Sequence, residues 1–407
     1  MQDTPKGSRL HIAIFGRRNA GKSSLINALT NQDIALVSNI PGTTTDPVYK
    51  AMEILPVGPV MIIDTAGIDD VGELGALRVE KTMQVLNKTD LAVVVIEPAA
   101  GLTEYEQNIV SEVQKRKIPL VGVINKIDQF NVSVDLIKKW NEGLGLNLLP
   151  ISAKTRQGIE ELKRLIITSA PEEWEGTPII GDLIDPGDTV VLVVPIDLAA
   201  PKGRLILPQV QTIRDILDHD ACSVVVKERE LKEALENLHR KPRLVVTDSQ
   251  EFLKVAADTP DDVLLTSFSI LMARHKGDLE TLTAGARAID KLKPHDKVLI
   301  AEGCTHHRQA DDIGRVKIPR WLRQTVGGEL EFDWVSGGSF PSDLSQYQLI
   351  VHCGACMLNR REMLYRLSVA REKQVPIVNY GLLIAHVHGI LRRALSPFPL
   401  AQMLLDE

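Results

Sequence analysis

Short apolar runs recur along the chain, each followed by a stretch with helical spacing. Over the first 170 residues the runs are His11–Phe15, Val60–Asp64, Leu91–Ile96, Leu120–Asn125 and Leu148–Ile151. Runs of this length without polar alternation fit strands buried on both faces. Helices between them imply a parallel sheet covered on both sides. The Pro-, Glu- and Gly-rich stretch Ala170–Pro178 interrupts the pattern and reads as a linker. Beyond it come a strand at Thr189–Ile196, a helix over Pro208–Leu217, a strand at Ser223–Val226, a charged helix over Glu228–Leu238, a strand at Arg243–Thr247, a helix near Gln250–Ala257 and a strand at Val263–Thr266. Helices at Ile270–His275 and Leu279–Lys291 follow, then a strand at Val298–Ala301, a helix at Ile318–Thr325 and strands at Glu331–Val335 and Leu349–Val351. A helix over Asn359–Lys373, a strand at Pro376–Asn379 and a helix over Gly381–Leu391 complete the pattern. The expected architecture is α/β throughout: a parallel-sheet domain over 8–170, a small α/β domain over 178–265, and a Rossmann-like α/β domain over 268–395.

Composition narrows the class without naming the chemistry. The 407 residues are 44% hydrophobic and 25% charged, ordinary values for globular domains, and the net charge is −6. No run of Lys and Arg stands out, so neither nucleic acid nor an anionic membrane is expected as a partner. No apolar run approaches the length of a membrane span, and the residues before the first strand are polar, without a signal peptide. Four cysteines in a chain this long do not make a disulfide scaffold, which points to a reducing, cytoplasmic setting. Cys222 opens an apolar strand and reads as a core thiol. The other three are candidates for metal.

Four loops at strand ends in the first domain carry the nucleotide chemistry. Gly16-Arg17-Arg18-Asn19-Ala20-Gly21-Lys22-Ser23 lies between a strand and a helix, the context in which G-x-x-x-x-G-K-[ST] cradles phosphates. Gly16 and Gly21 let the backbone turn its N–H groups inward, with Asn19, Ala20 and Ser24 completing the loop and helix start. Lys22 reaches the β/γ-phosphates, the Ser23 hydroxyl can ligate Mg²⁺, and the helix N-terminus adds positive partial charge. Asp64 ends a strand where it can hold Mg²⁺, and Gly67 in Asp64-Thr65-Ala66-Gly67 can bring its N–H to a γ-phosphate. Asn125-Lys126-Ile127-Asp128 suits guanine. Asp128 accepts from N1–H and the exocyclic amine, the Lys126 stem covers the base, and Asn125 bonds O6 or braces the phosphate loop. Ser152-Ala153-Lys154 can place an N–H on the guanine oxygen.

These motifs, in this order, resemble the translation-factor-like P-loop GTPases, especially the TrmE/Era branch, over about residues 8–170. The resemblance implies that Thr44, in Pro41-Gly42-Thr43-Thr44-Thr45-Asp46, is the switch threonine on Mg²⁺ and that Asn19 holds K⁺. Ile68 stands where Ras-like enzymes carry a water-orienting Gln, and a branched alkyl group cannot polarise water. The resemblance therefore implies slow hydrolysis stimulated by K⁺, with Glu73 as the acidic residue that supports it.

The last domain carries a second constellation. Cys304 follows the strand Val298–Ala301, and Cys353 and Cys356 follow the strand Leu349–Val351. Ligand sites gather at the carboxyl ends of such strands, so three thiolates converge if the two strands are neighbours. Placed at a helix start, Cys353 and Cys356 are expected to have lowered thiol pKa values. With His306 or His352 as a possible fourth ligand, the set suits tetrahedral zinc or a 4Fe–4S cluster, and spacing does not choose between them. Cys304-x-His306 followed by His352-Cys353-x-x-Cys356, behind a GTPase domain, resembles the HydF family of FeFe-hydrogenase maturation GTPases over the whole chain. That resemblance implies a 4Fe–4S cluster on the three Cys. It also implies a GTP-hydrolysing scaffold that receives the diiron precursor of the H-cluster with the two radical-SAM maturases and passes it to the FeFe-hydrogenase apoprotein. The undistinguished middle domain is expected to make a homodimer. The alternative is an RNA-modification or ribosome-assembly GTPase with structural zinc.

Overall fold

The computed structural model describes residues 4–30, 47–65, 73–172, 174, 176–196, 202–303 and 312–406, with the side chains of 73–78 set aside. It divides into two compact units, Met1–Glu175 and Gly176–Glu407.

The first unit is built on a six-stranded sheet of β1 (Leu10–Phe15), β2 (Val48–Ile54), β3 (Gly58–Asp64), β4 (Leu91–Ile96), β5 (Leu120–Ile124) and β6 (Leu148–Pro150), in the order β2-β3-β1-β4-β5-β6. All pairs are parallel except β2–β3. Helices α1 (Lys22–Thr30), α2 (Glu73–Leu86), α3 (Glu104–Lys115), α4 (Val134–Leu144) and α5 (Ile159–Ser169) connect the strands. Because side chains alternate across a strand, β1 sends Leu10, Ile12 and Ile14 into one apolar core and Ala13 and Phe15 into another. That double burial is why the run carries no polar alternation. The sequence pattern missed β2. Its residues Val48, Tyr49, Lys50 and Glu53 face solvent wholly or in part, as suits an edge strand, and leave no apolar run to read.

The second unit holds two four-stranded sheets. The first comprises β7 (Thr189–Val193), β8 (Cys222–Val226), β9 (Leu244–Thr247) and β10 (Leu264–Ser267), ordered β10-β9-β7-β8. The second comprises β11 (Lys297–Glu302), β12 (Glu331–Ser336), β13 (Leu349–His352) and β14 (Ile377–Asn379), ordered β12-β11-β13-β14. Every pair is parallel. The helices are α6 (Leu207–Asp218), α7 (Leu231–Asn237), α8 (Phe252–Asp258), α9 (Phe268–Lys276), α10 (Leu279–Ala286), α11 (Ile318–Val326), α12 (Arg360–Glu372), α13 (Tyr380–Val387), α14 (Leu391–Ala394) and α15 (Pro399–Met403). One core runs through both sheets: Val190, Leu192 and Val246 join Ile270 and Leu271 of α9 and Val298, Ile300 and Val351.

Two local expectations are corrected. Cys222 is exposed, because β8 lies at the edge of its sheet. The helix expected over Gly381–Leu391 breaks after Val387, where Gly389 takes a left-handed φ of 73°.

Candidate functional site

The nucleotide motifs meet at the carboxyl ends of β1, β3, β5 and β6. Gly16 leaves β1 against β4, where a Cβ would stand 2.7 Å from the Val95 carbonyl. Gly21 has φ 87°, and a Cβ there would strike the Asn125 carboxamide. Both positions therefore require glycine. Asn19 also takes a left-handed φ, 60°, and is exposed at the loop crest. Lys22, buried at the start of α1, folds its ammonium back onto the carbonyls of Gly16 (2.8 Å) and Arg17 (2.9 Å). Ser24 sits half-buried in the same first turn.

Ser23 and Asp64, the two described Mg²⁺ candidates, touch each other: Ser23 Oγ donates to Asp64 Oδ2 at 2.8 Å. Burial pushes the Asp64 carboxyl above its ordinary pKa, opposed by that hydrogen bond and by Lys22 and Lys50. A divalent cation at this carboxylate would reverse the balance. Thr65 anchors the strand end by donating from Oγ1 to the Ile14 carbonyl at 2.7 Å.

Asn125, almost fully buried, braces the site. Its Nδ2 donates to the Ala20 carbonyl at 3.0 Å, and its Oδ1 accepts from the Ala153 N–H at 3.0 Å. Of the two roles open to it, the structure gives it the brace. Ser152 Oγ donates to Asp128 Oδ1 at 2.6 Å and accepts from the Thr155 N–H at 3.1 Å, which orients the Asp128 carboxylate. Lys126, at a left-handed φ of 64°, pairs with Glu97 Oε1 at 2.5 Å, and Lys154 is exposed. Sequence reasoning missed Glu97, which follows an apolar strand and belongs to no motif. Thr44, Gly67 and Ile68 lie outside the described residues; Glu73 opens α2, and its side chain is among those set aside.

The second constellation lies at the carboxyl ends of β11 and β13, which are hydrogen-bonded neighbours with Ala301 opposite His352. The Cys353 N–H donates to the Ala301 carbonyl at 3.0 Å. Cys353 Sγ accepts from the N–H of Gly303 at 3.0 Å and of Ala355 at 3.4 Å. Gly303 directly precedes Cys304, so the two thiol-bearing strand ends are tied through sulfur. Cys304 and His306 themselves lie outside the described residues. Among the described residues no group of three or more His, Cys, Asp or Glu could hold a metal ion. The donors present nevertheless suit a metal–sulfur group: two thiols three positions apart, one with two N–H donors aimed at its sulfur.

Two expectations at this site change. The thiols are not acidified. Burial raises the pKa of Cys353, and it raises that of Cys356 to about 11 against the opposing pull of Lys276 and backbone amides. Burial is the dominant cause, and α12 begins at Arg360, not at Cys356, so the two thiols precede that helix instead of sitting in its first turn. His352 also has other work. It is fully buried, its Nδ1 lies 2.8 Å from the Cys353 carbonyl, and its Nε2 lies 3.0 Å from Arg366 Nη1. Burial and the Arg366 charge press its pKa to about 3. Both ring nitrogens are thus engaged away from a ligand role. Near Cys353 the buried Tyr380 hydroxyl donates to Glu302 Oε1 at 3.3 Å, and burial holds the Tyr380 pKa well above its ordinary value.

Comparison with known proteins follows the division of the chain. Residues 11–126 match a family described as 50S ribosome-binding GTPase. Residues 179–277 match the hydrogen maturase F dimerization domain and residues 280–397 the hydrogen maturase F tetramerization domain. The tRNA modification GTPase MnmE of Chromobacterium violaceum is 37% identical over 159 residues, covering 39% of this chain and 34% of that protein. The GTPase Der of a Sulfurihydrogenibium species is 38% identical over 181 residues, covering 42% and 40%. This chain therefore spans well under half the length of the curated relatives it matches. Among solved structures, Era in complex with MgGDPNP and a 16S ribosomal RNA segment is 22% identical, covering 54% of this chain and 94% of that one, with a TM-score of 0.38. The FeoB G-domain of Methanococcus jannaschii is 23% identical, covering 40% and 98%, with a TM-score of 0.32. The likeness to MnmE and Der is confined to part of the chain, whereas the two hydrogen maturase F matches together cover more than half of it, behind the GTPase match. The chain belongs to the hydrogen maturase F (HydF) family of GTPases.

Proposed function

We propose that this protein is a GTP-hydrolysing scaffold that binds a 4Fe–4S cluster and assembles and delivers the diiron precursor of the FeFe-hydrogenase H-cluster. The radical-SAM maturases and the hydrogenase apoprotein are its partners in the cytoplasm, and it works as a homodimer. The observation that carries the reading is the pairing of β11 with β13, which ties the residue before Cys304 to the sulfur of Cys353. In this reading Cys304, Cys353 and Cys356 hold the cluster, with His306 the remaining imidazole for a fourth position. When bound, the cluster supplies an iron with an exchangeable coordination position. The protein's part is to present the sulfurs, donate N–H bonds to them and bury the site. Support for the homodimer is the dimerization-domain match and the edge strand β8, which exposes Val225 and Cys222. Among the described residues no helix is long and apolar enough to cross a membrane.

In the first unit, GTP is hydrolysed to GDP with Mg²⁺ on Ser23, Thr44 and Asp64. Lys22 neutralises charge on the γ-phosphate, the Gly67 N–H donates a hydrogen bond to it, and Glu73 supports the attacking water. K⁺ at Asn19 supplies positive charge where Ile68 cannot orient water. Hydrolysis is slow, and faster in K⁺ than in Na⁺; equal rates in the two salts would remove Asn19 from the mechanism. The decisive experiment is anaerobic reconstitution with iron and sulfide followed by EPR, alongside Cys304→Ala, Cys353→Ala and Cys356→Ala. The wild-type protein gives a 4Fe–4S signal and each variant loses it. A colourless protein retaining one equivalent of zinc would favour the zinc-bearing RNA-modification GTPase instead.

A further inference from the structure

At the carboxyl edge of the β12-β11-β13-β14 sheet one arginine gathers three strands. Arg366 lies in the middle of α12 and is fully buried, a rare place for a guanidinium; both terminal nitrogens are taken up, while Nε has no hydrogen-bond partner among the described residues. Nη2 donates to the carbonyl of Gly337, the residue after β12, at 2.6 Å, and to Glu362 Oε1 at 2.9 Å. The Gly337 N–H in turn donates to the carbonyl of Glu302, the last residue of β11, at 2.9 Å. Nη1 donates to Nε2 of His352, the last residue of β13, at 3.0 Å. The Phe340 ring covers the cation, its centroid 5.2 Å from Cζ.

This arrangement fixes the tautomer of His352. A guanidinium has donors only, so Nε2 is the acceptor and the ring proton sits on Nδ1. That N–H then donates to the Cys353 carbonyl at 2.8 Å. A continuous line runs from a buried cation, through one imidazole tautomer, to the peptide that joins Cys353 to Gly354. The next residue, Ala355, takes a left-handed φ of 53° before Cys356, so the loop has little freedom to re-aim its second sulfur once that peptide is set.

We propose that Arg366 is a positioning residue for the thiol loop: acting through His352, it fixes the Cys353 peptide, sets the directions of Cys353 and Cys356, and keeps His352 Nε2 out of any ligand set. The part that concerns a bound cluster rests on the function proposed above; the part that concerns the loop does not.

The test uses the full-length protein with Arg366→Met, His352→Leu and His352→Gln. Gln keeps one acceptor for the guanidinium and one donor for the carbonyl, whereas Leu keeps neither. In the metal-free protein, alkylation of Cys353 and Cys356 followed by mass spectrometry should run about fivefold or more faster in Arg366→Met and His352→Leu, as expected for one buried hydrogen bond lost. His352→Gln should stay within about twofold of wild type, as a retained bond predicts. After reconstitution with iron and sulfide, the reduced Arg366→Met and His352→Leu proteins should share displaced EPR g-values, with His352→Gln at the wild-type position. Wild-type alkylation rates and spectrum in Arg366→Met, with only a lower melting temperature, would overturn the inference. So would an imidazole-nitrogen coupling in the wild type that vanishes in His352→Gln. If Arg366→Met does not fold, the Gln–Leu contrast decides. If the wild type assembles no cluster, the proposed function fails, and the alkylation rates still decide the inference.

Discussion

The Asn125 carboxamide has both ends taken, one by the phosphate loop and one by the loop after β6. Asn125→Ala leaves the Ala20 carbonyl and the Ala153 N–H unpaired in the interior, at about 1–3 kcal/mol each. The expected outcome in urea unfolding is a loss of roughly 3 kcal/mol from the first unit, with at least about a tenfold loss of GTP affinity by fluorescent-nucleotide titration. Wild-type affinity in this variant would mean that the brace does not shape the site. His275 offers a pH test. Burial, and secondarily Lys276, lower its pKa to about 4, while its Nδ1 lies 2.7 Å from the Thr177 carbonyl. The unfolded chain then binds more protons than the folded one between about pH 6.5 and pH 4, so stability is lost as pH falls through that window. The loss is about 2 kcal/mol, reduced from the full shift because the ring keeps some solvent contact. His275→Gln should flatten that part of the stability–pH curve, measured by denaturant titration at pH 7 and pH 5; an unchanged slope would exclude His275 as its source. Residue types were legible in sequence wherever a motif fixed them, as at Lys22, Ser23 and Asp128. Glu97 and Arg366 were not, because a charge one strand end away, or in mid-helix, looks like solvated surface until its partners are placed.

At the scale of elements, strand runs and strand ends were readable because both-face burial removes polar alternation, whereas edges were not. β2 hid behind its Lys and Glu, and β8 looked like core because apolar residues persist on an exposed edge. The thiol loop was legible as a strand-end feature, but its acidity was not, since that depends on how deeply packing buries the two sulfurs. The seating of α10 on β14 is another matter that only packing reveals. A Cβ at Gly285 would run into the backbone of Ile377, so helix and strand touch main chain to main chain. Gly285→Ala must push them apart, and overpacking of this kind costs roughly 1–3 kcal/mol or more. The second unit should lose that stability in thermal or urea unfolding while nucleotide affinity in the first unit stays at the wild-type level. Full stability would mean that the helix shifts without resistance.

At the scale of the molecule, two compact units predict two transitions. Calorimetry should resolve one for residues 1–175 and one for 176–407. Mg²⁺–GTP at about a hundred times its dissociation constant should stabilise the first by about 2.7 kcal/mol. The second should stay put; movement of both together would show that the units unfold as one. Within the second unit, the core running unbroken through both sheets has a consequence for recombination. The two family segments meet between residues 277 and 280, yet α9, which belongs to the first segment, lends Ile270, Leu271 and Met272 to the same core as β11 and β13. A chimera spliced at that seam would cut through packed side chains and strand an apolar face on each fragment. The portable cassette, for an engineer grafting the thiol loop onto another protein, is the whole stretch from Gly176 onward.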